Sequence, residues 1–299
     1  MILARQLFFL IFAYSLSASA NAAYPSLRES RDAALQTRLE AALTRLNLDE
    51  AVARNALSLS LVDITDLSRP RVASVNGDEM MYAASLPKIA ILLGAFARIE
   101  AGELEYDEDT RETLERMIRR SSNQAATDML HQVGMPYLAK LLQSERYRLY
   151  DPAHNGGLWV GKEYGKAVAW KRDPLHRLSH GATALQVARF YYLLETGRLV
   201  SAEASREMKD ILGEPAIHHK FVKGLEASRP DAKIYRKSGS WRNWHADSAI
   251  VEHDGRRYIA VALTEDPDGG HVLSELIVAL DDIILQRPVR LAGLRDSVR

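Results

Sequence analysis

Apolar residues recur along this chain with two periods. From Leu27 to Leu46 (LRESRDAALQTRLEAALTRL) the positions Leu35, Leu39, Leu43 and Leu46 fall three or four apart among charged residues, which predicts a helix with one buried stripe. Leu57 to Ile64 starts with alternation, Leu57, Leu59 and Leu61 on one side, and predicts a strand. Asp66 to Pro70 reads as a turn and Arg71 to Val75 as a second strand closing a hairpin. Asn76-Gly77 is a tight-turn pair, and Glu79 to Tyr82 leads to Ser85. Ile89 to Ile99 is a strongly apolar helix ending near Ala101-Gly102. Further helices are predicted over Asp109–Arg120, Gln124–His131 and Tyr137–Gln143, so residues 84–145 are nearly all helix.

Periodicity then disappears. Arg146 to Gly181 contains Pro152, Asn155-Gly156-Gly157, Gly161, Gly165 and Pro174, and reads as a long functional loop. It returns in helices over Thr183–Thr196 and Ala202–Leu212, ending at Gly197 and Gly213. Strands follow at Ile234–Lys237, Ala249–Glu252 and Tyr258–Leu263, the last two joined at Asp254-Gly255, then an amphipathic helix over Val272–Leu285. Two early and three late strands imply one sheet assembled from both chain ends. The class is α+β, with terminal helices on one face and the helical block on the other.

Composition adds bounds. With 47% hydrophobic and 26% charged residues over 299 positions, the chain can build a sizeable core. Lys+Arg and Asp+Glu are both 39, so bulk charge points to neither a nucleic-acid nor an acidic-membrane partner. There are no cysteines, which excludes disulfides, a thiol nucleophile and thiolate metal ligands. Arg5, the short apolar core Leu7–Ala13 and the small residues Ser17 to Ala23 read as a secretory signal over residues 1–22, cleaved after Ala22. That core is too short to span a bilayer, so no stable membrane anchor is expected and the address is periplasmic or secreted. His176 and His180 lie four apart in a loop without a carboxylate motif, so no metal and no cofactor is expected.

The candidate chemistry starts at Ser85-Leu86-Pro87-Lys88. Pro87 suits the first turn of a helix, and Ser85 and Lys88, three apart, then share a face. A serine hydroxyl becomes a nucleophile when a neighbouring base takes its proton, and a desolvated amine can do so. A helix N-terminus offers free N–H groups to a developing oxyanion. Alone, S-x-x-K is a weak signal that arises often by chance and reads first as a capped helix with a solvated lysine. Two further motifs follow in order: Ser121-Ser122-Asn123 between helices and Lys237-Ser238-Gly239 on a strand.

In this set and order the chain resembles the penicillin-recognising serine enzymes, and within them the class A β-lactamase-like group, whose pattern is S-x-x-K, S-D-N and K-T-G or K-S-G. The resemblance covers the whole mature chain. It implies a single β-lactamase-like catalytic domain over 23–299, with a five-stranded antiparallel sheet flanked by terminal helices and a mostly helical subdomain, about 84–212, inserted between the halves of the sheet. It implies that Ser85 is acylated, Lys88 activates it, and Ser121 passes a proton to the leaving nitrogen. Asn123 would bind the substrate's acylamide. Lys237 and Ser238 would take its carboxylate, with Arg242 a further carboxylate candidate. The oxyanion hole would be the N–H groups of Ser85 and of Ser240, the residue after Gly239. The partner implied is a small β-lactam or a D-alanyl peptide, acted on by a monomer.

The pattern is departed from in three places. Ser122 stands where the family usually has aspartate, and the segment from Lys88 to Ser121 is short. The third departure bears on mechanism. The β-lactamases of this group carry a water-positioning glutamate in an E-x-x-L-N setting, and no such motif occurs between Tyr147 and Ser179. The one glutamate there is Glu163, which either takes that role from a displaced position or is a solvated loop charge. Three functions stay open: a β-lactamase, a D-alanyl-D-alanine carboxypeptidase or related amide hydrolase that deacylates lactams slowly, and a non-catalytic protein on the same fold.

Overall fold

The computed structural model describes residues 24–288, so the expected signal segment, residues 1–22, lies outside the described residues. Helix α1 (Ala33–Arg45) is capped by the Asp32 carboxylate, which accepts from the Leu35 amide, and it buries Leu35, Leu39 and Leu43 as its periodicity predicts. A short α2 (Asp49–Ala53) leads to strands β1 (Leu57–Asp63) and β2 (Arg71–Val75). Strand β3 (Met81–Tyr82) runs into the Ser85 turn and α3 (Lys88–Glu100), followed by α4 (Glu108–Arg119), α5 (Asn123–Val133) and α6 (Met135–Gln143). Four short strands come next: β4 (Tyr150–Asp151), β5 (Gly156–Gly157), β6 (Trp159–Val160) and β7 (His180–Ala182). Helices α7 (Ala184–Glu195), α8 (Ala202–Leu212) and α9 (Phe221–Ser228) precede β8 (Lys233–Trp241), β9 (Trp244–His253), β10 (Arg256–Glu265) and α10 (Gly269–Ile284).

The main sheet has the order β2-β1-β10-β9-β8 and is antiparallel throughout. It joins the chain ends through β1 and β10, with Leu61 opposite Ala260. Its alternating side chains feed two cores. Leu57, Leu59, Leu61, Tyr258 and Ala260 pack with Leu39, Leu276 and Ile277 from the terminal helices. Val62, Ile259, Val261 and Leu263 face the helical block, with Leu93, Met129 and Phe190. Strand β8 forms one edge, open on the side away from β9.

Two expectations change. The stretch 146–181 is not structureless: β6 and β7 pair with each other, and β7 pairs with β3, placing Met81 opposite Ala182 and Tyr82 opposite Gly181. Two-residue strands carry no readable period, so only the folded chain reveals them. The loop is thereby tied to the strand that leads into Ser85. Helix α9 is also unforeseen, because eight residues containing Gly224 show little stripe. Gly224 is where α9 meets α10: a Cβ there would lie 2.1 Å from the Ser274 carbonyl oxygen. Arg229 clamps the same pair of helices, with Nε 2.8 Å from Asp281 Oδ2 and Nη2 2.6 Å from Asp282 Oδ1. Gly224→Ala is expected to destabilise the protein by about 1–3 kcal/mol in urea unfolding, the usual cost of overpacking. An unchanged midpoint would contradict the close approach.

Candidate active site

Ser85 sits in a tight turn just before α3, not inside the helix. Leu86 N–H donates to the Ala83 carbonyl (3.0 Å) and Lys88 N–H to the Ser85 carbonyl (3.2 Å). Pro87, with φ −65°, is the N-cap, so its missing N–H costs no hydrogen bond. Ala84 is forced to φ +49°, a left-handed conformation that costs a non-glycine residue of order 1 kcal/mol or more.

Lys88 opens α3 and is fully buried. Its Nζ donates to the Ser121 carbonyl (2.6 Å), Asn123 Oδ1 (2.8 Å) and the Ser122 carbonyl (3.2 Å), and lies 3.4 Å from Ser121 Oγ. Burial drives its pKa down to about 7, against the pull of these oxygens on the ammonium form. Ser85 Oγ is not among its hydrogen-bond partners, a separation common in ligand-free sites. Ser121 is also left-handed, φ +55°, and its hydroxyl accepts from Lys237 Nζ at 2.8 Å. One hydroxyl thus lies between two buried amines. Lys237, 1% exposed, is held well below its usual pKa by burial and by the positive charge of Lys88. Ser122 does what a cap does: its Oγ accepts from the Ala125 N–H of α5 at 3.2 Å.

Strand β8 brings in the third motif as a sheet edge. Gly239 presses on the Ser85 turn so closely that a Cβ would lie 2.1 Å from the Ala83 carbonyl and 2.8 Å from the amide nitrogens of Ser85 and Leu86. Only glycine lets the strand and the turn meet, which sets the Ser85 and Ser240 backbones next to one another. Ser238 is buried at 5% exposure. Behind the strand, Lys220 donates to the Gly239 carbonyl (2.5 Å), Ser240 Oγ (2.8 Å) and the Ala246 carbonyl (3.0 Å). Burial lowers its pKa to about 8. Arg236 is locked by Asp247 through 2.8 Å contacts from Nε and Nη2. Arg242, at φ +52°, makes the β8–β9 turn and lines the cleft with Trp241 and Trp244.

The cleft encloses about 740 Å³ and includes Ser85, Asn123, Ser240 and Arg242 in its wall. Glu163 is not in that wall. Its Oε1 lies 2.6 Å from Nε2 of His131 on α5, so the loop's glutamate is turned onto a helix surface rather than toward Ser85. Of the two readings of Glu163, this placement supports a loop charge over a displaced water-positioning base. The next residue, Tyr164, takes the inward position. Its ring centroid is 4.6 Å from Lys88 Nζ and 4.3 Å from the His180 ring, and its buried hydroxyl has no hydrogen-bond partner among the described residues. Burial raises the Tyr164 pKa well above its usual value. It lowers that of His180 to about 4, so this imidazole is neutral, with Nε2 3.1 Å from the Lys162 carbonyl and therefore its protonated nitrogen.

Ser85, Lys88, Ser121, Asn123, Lys237, Ser238, Gly239, Ser240 and Arg242 therefore converge, from segments up to 116 positions apart in hydrogen-bonded contact. Glu163 does not join them. Tyr164, His180 and Lys220 belong to the neighbourhood without having been singled out as site residues. Tyr164 follows Glu163 directly and carried no pattern of its own, while Lys220 precedes a helix that the sequence does not announce.

A model of the beta-lactamase enzyme family matches residues 39–113 and 109–287. No curated protein sequence matches the chain. Among solved structures, a PBP-A point mutant in acyl-enzyme complex with penicillin G superposes with a TM-score of 0.66 at 18% identity, covering 88% of this chain and 99% of that one. A β-lactamase from Sphaerobacter thermophilus gives a TM-score of 0.63 at 16% identity, covering 84% and 96%. A class A β-lactamase representative from Bacteroides cellulosilyticus gives 0.63 at 13%, covering 84% and 99%. At these identities the likeness is one of fold; the family match spans most of the sheet and the helical block, and with it the chain belongs to the beta-lactamase enzyme family.

Proposed function

We propose that this protein is an exported serine hydrolase that opens β-lactam rings through an acyl-enzyme on Ser85. The observation that supports it most is the Lys88–Ser121–Lys237 set gathered behind Ser85, two buried amines on one hydroxyl. Neutral Lys88 accepts the Ser85 proton, directly or by way of Ser121, as Ser85 Oγ attacks the lactam carbonyl. The oxyanion is met by the Ser85 and Ser240 N–H groups, each worth about 3 kcal/mol of barrier. The C–N bond then breaks, and the nitrogen takes the Ser121 proton, which the amines replace. Asn123 has its Oδ1 committed to Lys88, which leaves its Nδ2 to donate to the acylamide. Lys237, Ser238 and Arg242 receive the carboxylate.

Removal of the acyl group is the slow part. No carboxylate lines the cleft among the described residues, and the Tyr164 ring lies beside Lys88. This favours a second reading, a D-alanyl-D-alanine carboxypeptidase that lactams acylate and leave slowly. Its natural leaving group departs and clears room for water.

Intact mass spectrometry with benzylpenicillin is expected to show one adduct that outlasts the mixing time, absent in Ser85→Ala. No adduct and no turnover above Ser85→Ala would defeat both readings, while turnover too fast for an adduct to accumulate would eliminate the carboxypeptidase. The acylation rate should climb as pH rises through about 7, because Lys88 works only after losing its proton. Lys88→Ala should lower that rate by roughly 10²–10⁴. A flat profile from pH 5 to 9 rules out Lys88 as the base. Glu163→Gln should leave deacylation unchanged, and a large drop would return Glu163 to the site.

A further inference from the structure

The charges that line the cleft have one sign. Lys162, Lys166 and Arg242 form part of its wall, with Lys88 and Lys237 buried behind it. Among the described residues no aspartate or glutamate lines it, although the chain carries equal numbers of acidic and basic residues. The loop that supplies Lys162 and Lys166 has two acids of its own, and both are spent elsewhere. Glu163 is on His131. Asp173, 1% exposed, accepts from the amides of Leu175, His176 and Leu178 and from the Tyr150 hydroxyl. Lys162 has an oxygen neighbour in its own loop, the Gly165 carbonyl at 2.9 Å, which does not neutralise it.

The cations come from two different elements. Arg242 belongs to the β8–β9 turn, next to Ser240. The Lys162–Lys166 segment is fastened to α5, where Thr127 Oγ1 donates to the Tyr164 carbonyl at 3.4 Å and His131 meets Glu163. Thr127 is one turn of α5 beyond Asn123, which lines the same cleft. A substrate with a single carboxylate at β8 leaves Lys162 and Lys166 facing uncharged chemistry. We infer that the substrate carries a second anionic group, a carboxylate on its acyl side, received by Lys162 and Lys166. This rests on Ser85 being the acylated residue, which sets which side of the substrate meets α5.

The test compares benzylpenicillin with its α-carboxy derivative, which adds one carboxylate on the acyl side. Binding is measured calorimetrically on Ser85→Ala, so that it does not depend on acylation. The dicarboxylate should bind about tenfold more tightly, the size of one charge-assisted contact. The ratio should fall to near one in Lys162→Met/Lys166→Met and return in Lys162→Arg/Lys166→Arg, with added salt lowering it. Circular dichroism of both double variants establishes that they fold. Equal binding of the two penicillins, or a preference that survives Lys162→Met/Lys166→Met, overturns the inference. Failure of either penicillin to acylate Ser85 in the native chain, with the binding preference intact, overturns the proposed reaction and leaves a dianion-binding cleft.

Discussion

Two lysine side chains are buried beside one serine hydroxyl, and much of the site follows from the cost of putting them there. Lys88 and Lys237 are both under 2% exposed. An unpaired ammonium in such a place is unfavourable by several kcal/mol, so the fold supplies oxygens or lets the proton go. It does both. Lys88 has two carbonyls and the Asn123 amide oxygen, yet desolvation still brings it to about 7. Lys237 has the Ser238 carbonyl and the Ser121 hydroxyl. Farther back, Asp247 neutralises Arg236, which would otherwise add a third uncompensated charge. An amine that titrates near neutrality is the result of burial rather than of any special residue type.

Holding those groups in place requires backbone that chains avoid. Ala84 and Ser121, on either side of the amines, and Lys220 beneath β8 all have positive φ without being glycine. Such residues persist where surrounding packing over-determines them. Here the determinants are visible: β3 paired to β7 ahead of Ala84, α4 and α5 flanking Ser121, and three acceptors on Lys220. Gly239 supplies the complementary absence of bulk. The 2.1 Å that a Cβ would reach toward Ala83 shows that the turn and the strand are in backbone contact.

The loop between β6 and β7 supplies one wall of the cleft. This loop turns Glu163 outward to His131 and sends Tyr164 inward against Lys88 and His180. The Tyr164 ring occupies the space beside the Lys88 amine, and the same loop brings lysines to the cleft wall. The placement of Glu163, of Tyr164 and of the cleft lysines is thus set by neighbouring residues of one segment.

The sequence by itself determined the class of fold, since helix and strand periods are local and survive without tertiary context. It also held the three motifs that the fold brings together. Ser85, Lys88, Ser121, Asn123 and Lys237 stand in three short motifs whose order was enough to read, although Lys88 and Lys237 meet Ser121 across 33 and 116 positions. Only the tertiary structure decided where the Glu163 carboxylate goes. A loop without period leaves its side chains free to face either way, and the direction came from His131 on a helix 32 positions earlier. The short strands β4 to β7, helix α9 and Lys220 were likewise invisible, because each is fixed by what it packs against and not by its own residues.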